Sequence, residues 1–320
     1  MNNTTAHLLS KSVIASTVLL ASTFANAVTS IDEQMTVTSP VLVDLNVQRG
    51  EVEILGWDKG IIRVTGTLDE RSQAFIFEQK GNEIVIEDKL PKSYNGNNEQ
   101  GSDLVIYVPT HINLEASGIS ADYEAANLNG KTLISVVSGS IEAENMTGEI
   151  SLNTVSGEIE TEQLNGKITL ETVSGDIKDK NTQGTIEYRL VSGELESENS
   201  QVSELNIDSV SGDIEGKFLL AQKIKAVTVS GDMDLKLSEA VSKGLFDSVS
   251  GDIKLSFAAT PNVTFDIDGG PGGDIDNRLT TDKPVKEKYS PAKSLTFSTG
   301  SADGRIEITT ISGDVELENK

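Results

Sequence analysis

Glycine returns every nine residues through the middle of this chain, at Gly130, Gly139, Gly148, Gly157, Gly166, Gly175, Gly184 and Gly193. Alternate members belong to a Val-Ser-Gly tripeptide that continues at Gly212, Gly231 and Gly251, with spacings of 18 to 20 residues. A fixed period of this kind is the mark of a repeat architecture and takes precedence over any single motif. Counting each glycine as position 1, position 3 is aliphatic in Ile141, Ile150, Ile159, Ile168, Ile177, Ile186 and Leu195. Position 5 carries Ala143, Leu152, Thr161 and Leu170, and position 8 carries Met146, Val155, Leu164, Val173 and Val191. Polar residues such as Glu142, Ser151, Glu160 and Thr169 intervene. Positions 3 and 5 share one face of a strand, because side chains alternate with period 2. A helix does not fit the spacing, and β-branched residues with glycines disfavour one.

Nine residues accommodate a strand of about five or six and a turn of about three. Two such halves make a coil, and one coil cannot bury enough apolar surface to offset the ordering of its backbone at about 1–2 kcal/mol per residue. Coils must therefore stack, with equivalent strands in parallel about 4.8 Å apart. The expectation is an all-β fold: a single parallel β-solenoid (β-helix) of about 18–20-residue coils, with an irregular β-rich N-terminal cap. Glycine is expected where the chain turns sharply with φ > 0. The serines before it (Ser138, Ser156, Ser174, Ser192, Ser211, Ser230 and Ser250) form a corner ladder whose hydroxyls bond neighbouring backbone. A nucleophile occurs once and beside a base, so the serines do not read as catalytic.

The flanks divide the chain. Residues 1–27 have the layout of a cleaved signal peptide: Lys11, the apolar run Val13–Ala21, and Ala25-Asn26-Ala27 as the cleavage pattern, with processing after Ala27. The run is too short for a stable membrane span, and no later stretch reads as one. Residues 28–116 read as a β-rich section capping the solenoid, with Trp57 packed in the cap rather than bound to sugar. Regular repeats occupy 117–257. Residues 258–303 are an irregular section around Asp268-Gly269-Gly270-Pro271-Gly272-Gly273-Asp274, bounded further on by Pro284 and Pro291. Residues 304–320 form the final repeat, and the polar tail Glu316–Lys320 is expected to blunt the last edge.

Chemistry is sparse. There is no cysteine, and past the leader the chain has a single histidine, His111, so Ser/His/Asp, Cys/His and zinc constellations lack their parts. No phosphate-cradling glycine motif is present. Fifty acidic residues against 26 basic ones give a net charge of -24, which repels nucleic acid and anionic lipid. An acid follows the glycine at Glu158, Asp176, Glu194, Asp213, Asp232, Asp252 and Asp314. Turn chemistry, each acid accepting backbone N–H bonds, is the favoured account. The alternative is a carboxylate ladder that recruits Ca²⁺ or Mg²⁺. Paired carboxylates are too common here to single out a glycosidase pair, and a thin coil leaves no interior pocket.

The V-S-G-D-I repeats, the Tyr107-Val108-Pro109 entry and the closing Ile306-Glu307-Ile308-Thr309-Thr310-Ile311-Ser312-Gly313-Asp314 together resemble the bacterial "putative adhesin" family of unknown function. The resemblance covers residues 35–318 and implies an exported β-solenoid; it supplies no catalytic, cofactor or metal residues. The functional expectation is a non-enzymatic, adhesin-like scaffold, periplasmic or on the cell surface. Its flat sheet faces would meet a protein or envelope component, or a second copy. The alternatives are an envelope regulatory accessory that binds a protein partner, and a polysaccharide-active β-helix enzyme.

Overall fold

A computed structural model describes residues 29–38, 41–92, 100–286 and 288–320. The expected signal peptide falls on residues outside that set. The described residues form twenty-eight strands and no helix. Through the repeats the pairing is parallel with an offset of 18 residues that widens to 19 and then 20. Thr147–Thr154 pairs with Asn165–Ser174, placing Ile150 on Ile168 and Leu152 on Leu170. Ile141–Glu144 pairs with Ile159–Glu162, placing Ile141 on Ile159. Two ladders result, a front one built from the short strands and a back one from the long strands, and the long strand Leu195–Ser211 belongs to both.

The sheet is nevertheless mixed, and this corrects the purely parallel expectation. Antiparallel pairs flank the repeats at both ends: Ser30–Thr36 with Ile61–Thr67, Ile61–Thr67 with Ser102–Pro109 and Ala74–Lys80 with Glu83–Lys89 at one end, and Val263–Asp268 with Lys293–Ser298 at the other. The flanks also break sequential order. Leu42–Val47 lies between Glu83–Lys89 and Asn113–Ser117, so a later excursion covers the earlier strand. The C-terminal end mirrors this. Gly304–Thr310 sits between Lys243–Ser250 and Val263–Asp268, and Val315–Asn319 sits between Ile253–Phe257 and Ile275–Asn277. The polar tail therefore does not blunt an edge; its strand is paired on both sides, and residues 258–303 supply the cover. Trp57 lies in the N-terminal section as expected, stacked on Tyr107 with ring centroids 5.0 Å apart and its indole N–H donating to Ile61 O at 2.7 Å.

The two half-repeats are unequal, and this changes which residues face inward. Position 3 and 5 side chains are buried as the spacing predicts: Ile150, Leu152, Ile168, Leu170, Ile141, Ile159 and Ile177 are all at most 1% exposed. Position 8 divides. Met146 and Leu164 are buried, whereas Val155, Val173 and Val191 are 38–46% exposed. The reason is parity. In the long half the strand runs on without a break, so Ile150, Leu152 and Thr154 point inward and Val155 outward. In the short half Asn145 adopts φ +51° and resets the alternation, so that Met146 turns in. Asn127, Gln163, Asn181 and Asn199 hold the same left-handed corner, a conformation asparagine tolerates better than most residues.

The Val-Ser-Gly glycines act by close approach as much as by conformation. Gly157 is not left-handed, yet a Cβ there would lie 1.9 Å from Gly139 O of the preceding coil. Gly148 carries both constraints, with φ +128° and Gly130 O at 2.1 Å. Gly157→Ala is expected to cost about 1–3 kcal/mol through forced separation of two coils. Urea unfolding of the purified variant measures this, and an unchanged midpoint would refute the close-packing account. The loop around Gly270 obeys the same geometry. A Cβ on Gly273 would lie 2.0 Å from Gly313 O, as one on Gly313 would from Gly251 O, so Gly273-Asp274-Ile275 is one more corner of the repeat.

Candidate binding surface

The residues with chemical potential lie mostly on the outside; among the described carboxylates Asp69, Asp88 and Asp179 are buried. Ser138, Ser156, Ser174, Ser192, Ser211, Ser230 and Ser250 are exposed at the corner, and backbone bonds tie the rungs there, as where Ser156 N–H donates to Val137 O at 2.9 Å. His111 is exposed and forms an isolated parallel bridge with Asn129. Among the described residues no three His, Cys, Asp or Glu side chains are grouped to hold a metal ion.

The aspartates after the glycines do what turn chemistry predicts, whereas Glu158 pairs with Lys178 instead. Asp176 accepts the backbone N–H of Glu194 at 2.8 Å, Asp213 that of Asp232 at 2.9 Å, and Asp232 that of Asp252 at 2.8 Å. Asp252 accepts from Asp314 N at 2.7 Å and Asp314 from Asp274 N at 2.8 Å. Each carboxylate thus clasps the equivalent residue of the next coil, which binds one rung to another at the corner.

A second set of acids has no such role. Register places Glu53 on Glu124, Glu124 on Glu142 and Glu142 on Glu160 along the outer face of the front ladder. Beside this column runs a second, with Ala126 on Glu144 and Glu144 on Glu162. A lysine interrupts each run of acids, Glu160 meeting Lys178 and Glu162 meeting Lys180. The carboxylates line a shallow open groove whose floor includes Leu55 and Ala126. Like charges one strand spacing apart repel by about 1 kcal/mol even in water. Partial burial, and then the neighbouring Glu124, Glu160, Glu158 and Asp122, push the Glu142 carboxyl above its ordinary range. A carboxyl raised in the folded state favours folding below its ordinary range, and that contribution is lost as pH rises through the shifted value. Glu142→Gln is therefore expected to raise stability at neutral pH, by at most about 1 kcal/mol at so exposed a site, and to do nothing at acidic pH. Thermal melts at two pH values test this; equal shifts at both would contradict it.

Within the repeats the buried acid is Asp179, which the spacing places at position 5 and the structure buries to 1% exposure. Its carboxyl accepts hydroxyl bonds from Thr161 at 2.7 Å, Tyr188 at 2.8 Å and Ser200 at 2.9 Å, and from Thr182 and Ser197. Burial, and then the Asp179 charge, hold the Tyr188 hydroxyl well above its ordinary range. Five hydroxyls converging on one carboxyl fill the centre of the stack, leaving it a packed polar knot with no opening to a substrate. Sequence reasoning missed this group. The signal was available in Asp179 breaking an otherwise apolar or small position, opposite Tyr188.

Fold and surface together define an all-β repeat protein with aligned acids along one outer face. The chain belongs to the Toastrack DUF4097 family, whose model matches residues 42–318. No curated protein matches it. Among solved structures it is similar to one described as a "putative cell adhesion protein" from Clostridium sporogenes, at 14% identity and a TM-score of 0.21, covering 91% of this chain and 100% of that one. It is also similar to a "putative adhesin" from Bacteroides fragilis, at 13% identity and a TM-score of 0.31, covering 91% of this chain and 97% of that one. A third, a "putative lipid binding protein" from Parabacteroides distasonis, shares 12% identity at a TM-score of 0.37, covering 91% of this chain and 96% of that one.

Proposed function

We propose that this protein is a non-enzymatic, exported scaffold of the cell envelope, a stacked-coil solenoid through residues 117–257, whose acidic front face docks a cationic segment of a partner protein. The observation that carries this reading is the run Glu53, Glu124, Glu142 and Glu160, held in register and so in mutual repulsion. Such a run weakens the free protein and gains when positive charge arrives. A rigid β face fixes its spacing at about 4.8 Å per carboxylate, which suits an extended chain bearing repeated lysines or arginines. The surface is also open and flat, as a docking face requires and a hydrolytic cleft does not.

The test is binding of an oligolysine peptide to the mature chain, followed by fluorescence anisotropy. The expected result is affinity that falls steeply with salt and drops at least about tenfold when Glu124, Glu142 and Glu160 are changed together to Gln, each lost charge pair being worth roughly 0.5 kcal/mol or more. Binding that is indifferent to these changes would remove the acidic face from the account.

A further inference from the structure

Nine of the exposed aliphatics form one column along the molecule; Leu220 and Val285 lie outside it. Ile119, the seven valines of the Val-Ser-Gly positions from Val137 to Val249, and Ile311 are 38–53% exposed. They are stacked rung upon rung. Ser138 N–H bonds Ile119 O, Ser156 N–H bonds Val137 O and Ser312 N–H bonds Val249 O, and the adjoining serines pair in register from Ser174 to Ser250. Outward positions elsewhere change character from rung to rung, as in Ser151, Thr169 and Glu187 on the back ladder. This one is apolar in all nine coils, although burial within the chain does not require it. Single exposed valines need no explanation, but a contiguous apolar line does.

We propose that this spine is the contact surface between two copies of the chain, related by a two-fold axis. Eight rung intervals of about 4.8 Å make a line about 38 Å long. A stable interface buries about 800 Å² on each partner, which a strip of that length reaches at a width of about 20 Å, the aliphatic column together with the exposed serine column and outward rows beside it. A uniform aliphatic line is self-complementary, as an isologous contact demands. Other occupants fit less well. An added β-strand needs free backbone groups, and the rungs here are already bonded to the coils on either side. An anionic lipid surface is repelled by a net charge of -24. That charge also opposes pairing of two copies, so added salt should strengthen the dimer while it weakens oligolysine binding, and the two surfaces can be told apart.

The experiment is sedimentation equilibrium of the full mature chain up to about 100 µM, at low and at 0.5 M salt, where screening lengths differ by about threefold or more. The expected result is a dimer favoured by salt, and a Val173→Asp/Val191→Asp/Val210→Asp variant at least about tenfold weaker in dimerisation. Val191 is the fifth of the nine rungs, so a two-fold contact along the whole spine brings its two copies together whichever way the columns run. A Val191→Cys variant, in a chain with no other cysteine, should therefore link to itself through a short bis-maleimide. Glu142→Gln/Glu160→Gln should leave the dimer intact. A chain that stays monomeric throughout, a dimer indifferent to the aspartates, or failure of the Val191→Cys variant to cross-link overturns the proposal. So does capture of vesicles or of another protein by a spine that stays monomeric.

Discussion

A chain ending at Asp303 will lose protection over residues 258–303 while its central coils remain folded. The deleted segment is the penultimate layer of the stack, although it is the last part of the sequence. Gly304–Thr310 and Val315–Asn319 are the parallel neighbours of Val263–Asp268 and Ile275–Asn277. Without them Val263–Asp268 keeps only its antiparallel partner Lys293–Ser298, which has the two-residue strand Val285–Lys286 on its other side, and so small a unit is marginal in water. The deletion also removes Ile306, Ile308, Val315 and Leu317, each fully buried and each contributing about 1.5–3 kcal/mol of burial. It uncovers Phe246, Leu255 and Phe257 on the layer beneath. Repeat stacks distribute stability between neighbours, so the loss should stop within a coil or two. Hydrogen exchange read by mass spectrometry is expected to accelerate at least about 100-fold across 263–298, equivalent to about 2.7 kcal/mol. Fluorescence of Trp57, at the other end of the stack, should melt as in the full chain. Unchanged protection at 263–298 would mean that the cover holds itself together and that the inserted layer is dispensable.

Asp179→Ala will cost about 3–5 kcal/mol, the range expected when a buried polar partner is removed and its counterparts are left unsatisfied. Thr161, Thr182, Tyr188, Ser197 and Ser200 all point their hydroxyls at this carboxyl, and none can reach water without moving. The knot spans three consecutive rungs of the front ladder, Thr161, Asp179 and Ser197, and ties them to Tyr188 on the back ladder. It therefore fixes register as well as contributing energy, because a slip by one rung separates every pair. Pairing the change with Tyr188→Phe removes one donor in advance, so the double variant should lose less than the two single losses combined. Urea unfolding measures all three. Additive losses would show that Asp179 and Tyr188 act independently and that the knot is a chance proximity.

The period of nine, the strand parity of Ile150 and Leu152 and the parallel offset of 18 were legible in the sequence because each depends only on local spacing. What escaped depended on breaks in that spacing. The left-handed Asn145 resets alternation in one half-repeat and not in the other, so the same apolar letter is core at Met146 and surface at Val155. Gly273-Asp274-Ile275 looked like an irregular loop because its neighbours in the stack, Gly313 and Gly251, are far away in sequence. The insertion of the last coil beneath residues 258–303 has no local signature, since strand order in a stack is set by which edges remain open when each segment arrives. The acidic run was visible as composition, but its alignment from Glu53 to Glu124 needed the N-terminal section to be placed directly above the repeats.

Both the acidic face and the aliphatic spine require successive coils to advance along one axis, so that equivalent residues form straight columns. Pulsed electron spin resonance between labelled pairs on the front face tests this most directly. Glu124, Glu142, Glu160, Lys178, Glu196, Glu215, Asp234 and Lys254 occupy one column in consecutive register. A label at 124 paired in turn with one at 215, 234 and 254 should give distances of about 24, 29 and 34 Å, rising by about 4.8 Å at each step. Distances that level off or shorten along the series would mean that the sheet curls back on itself, and would contradict the stacked column.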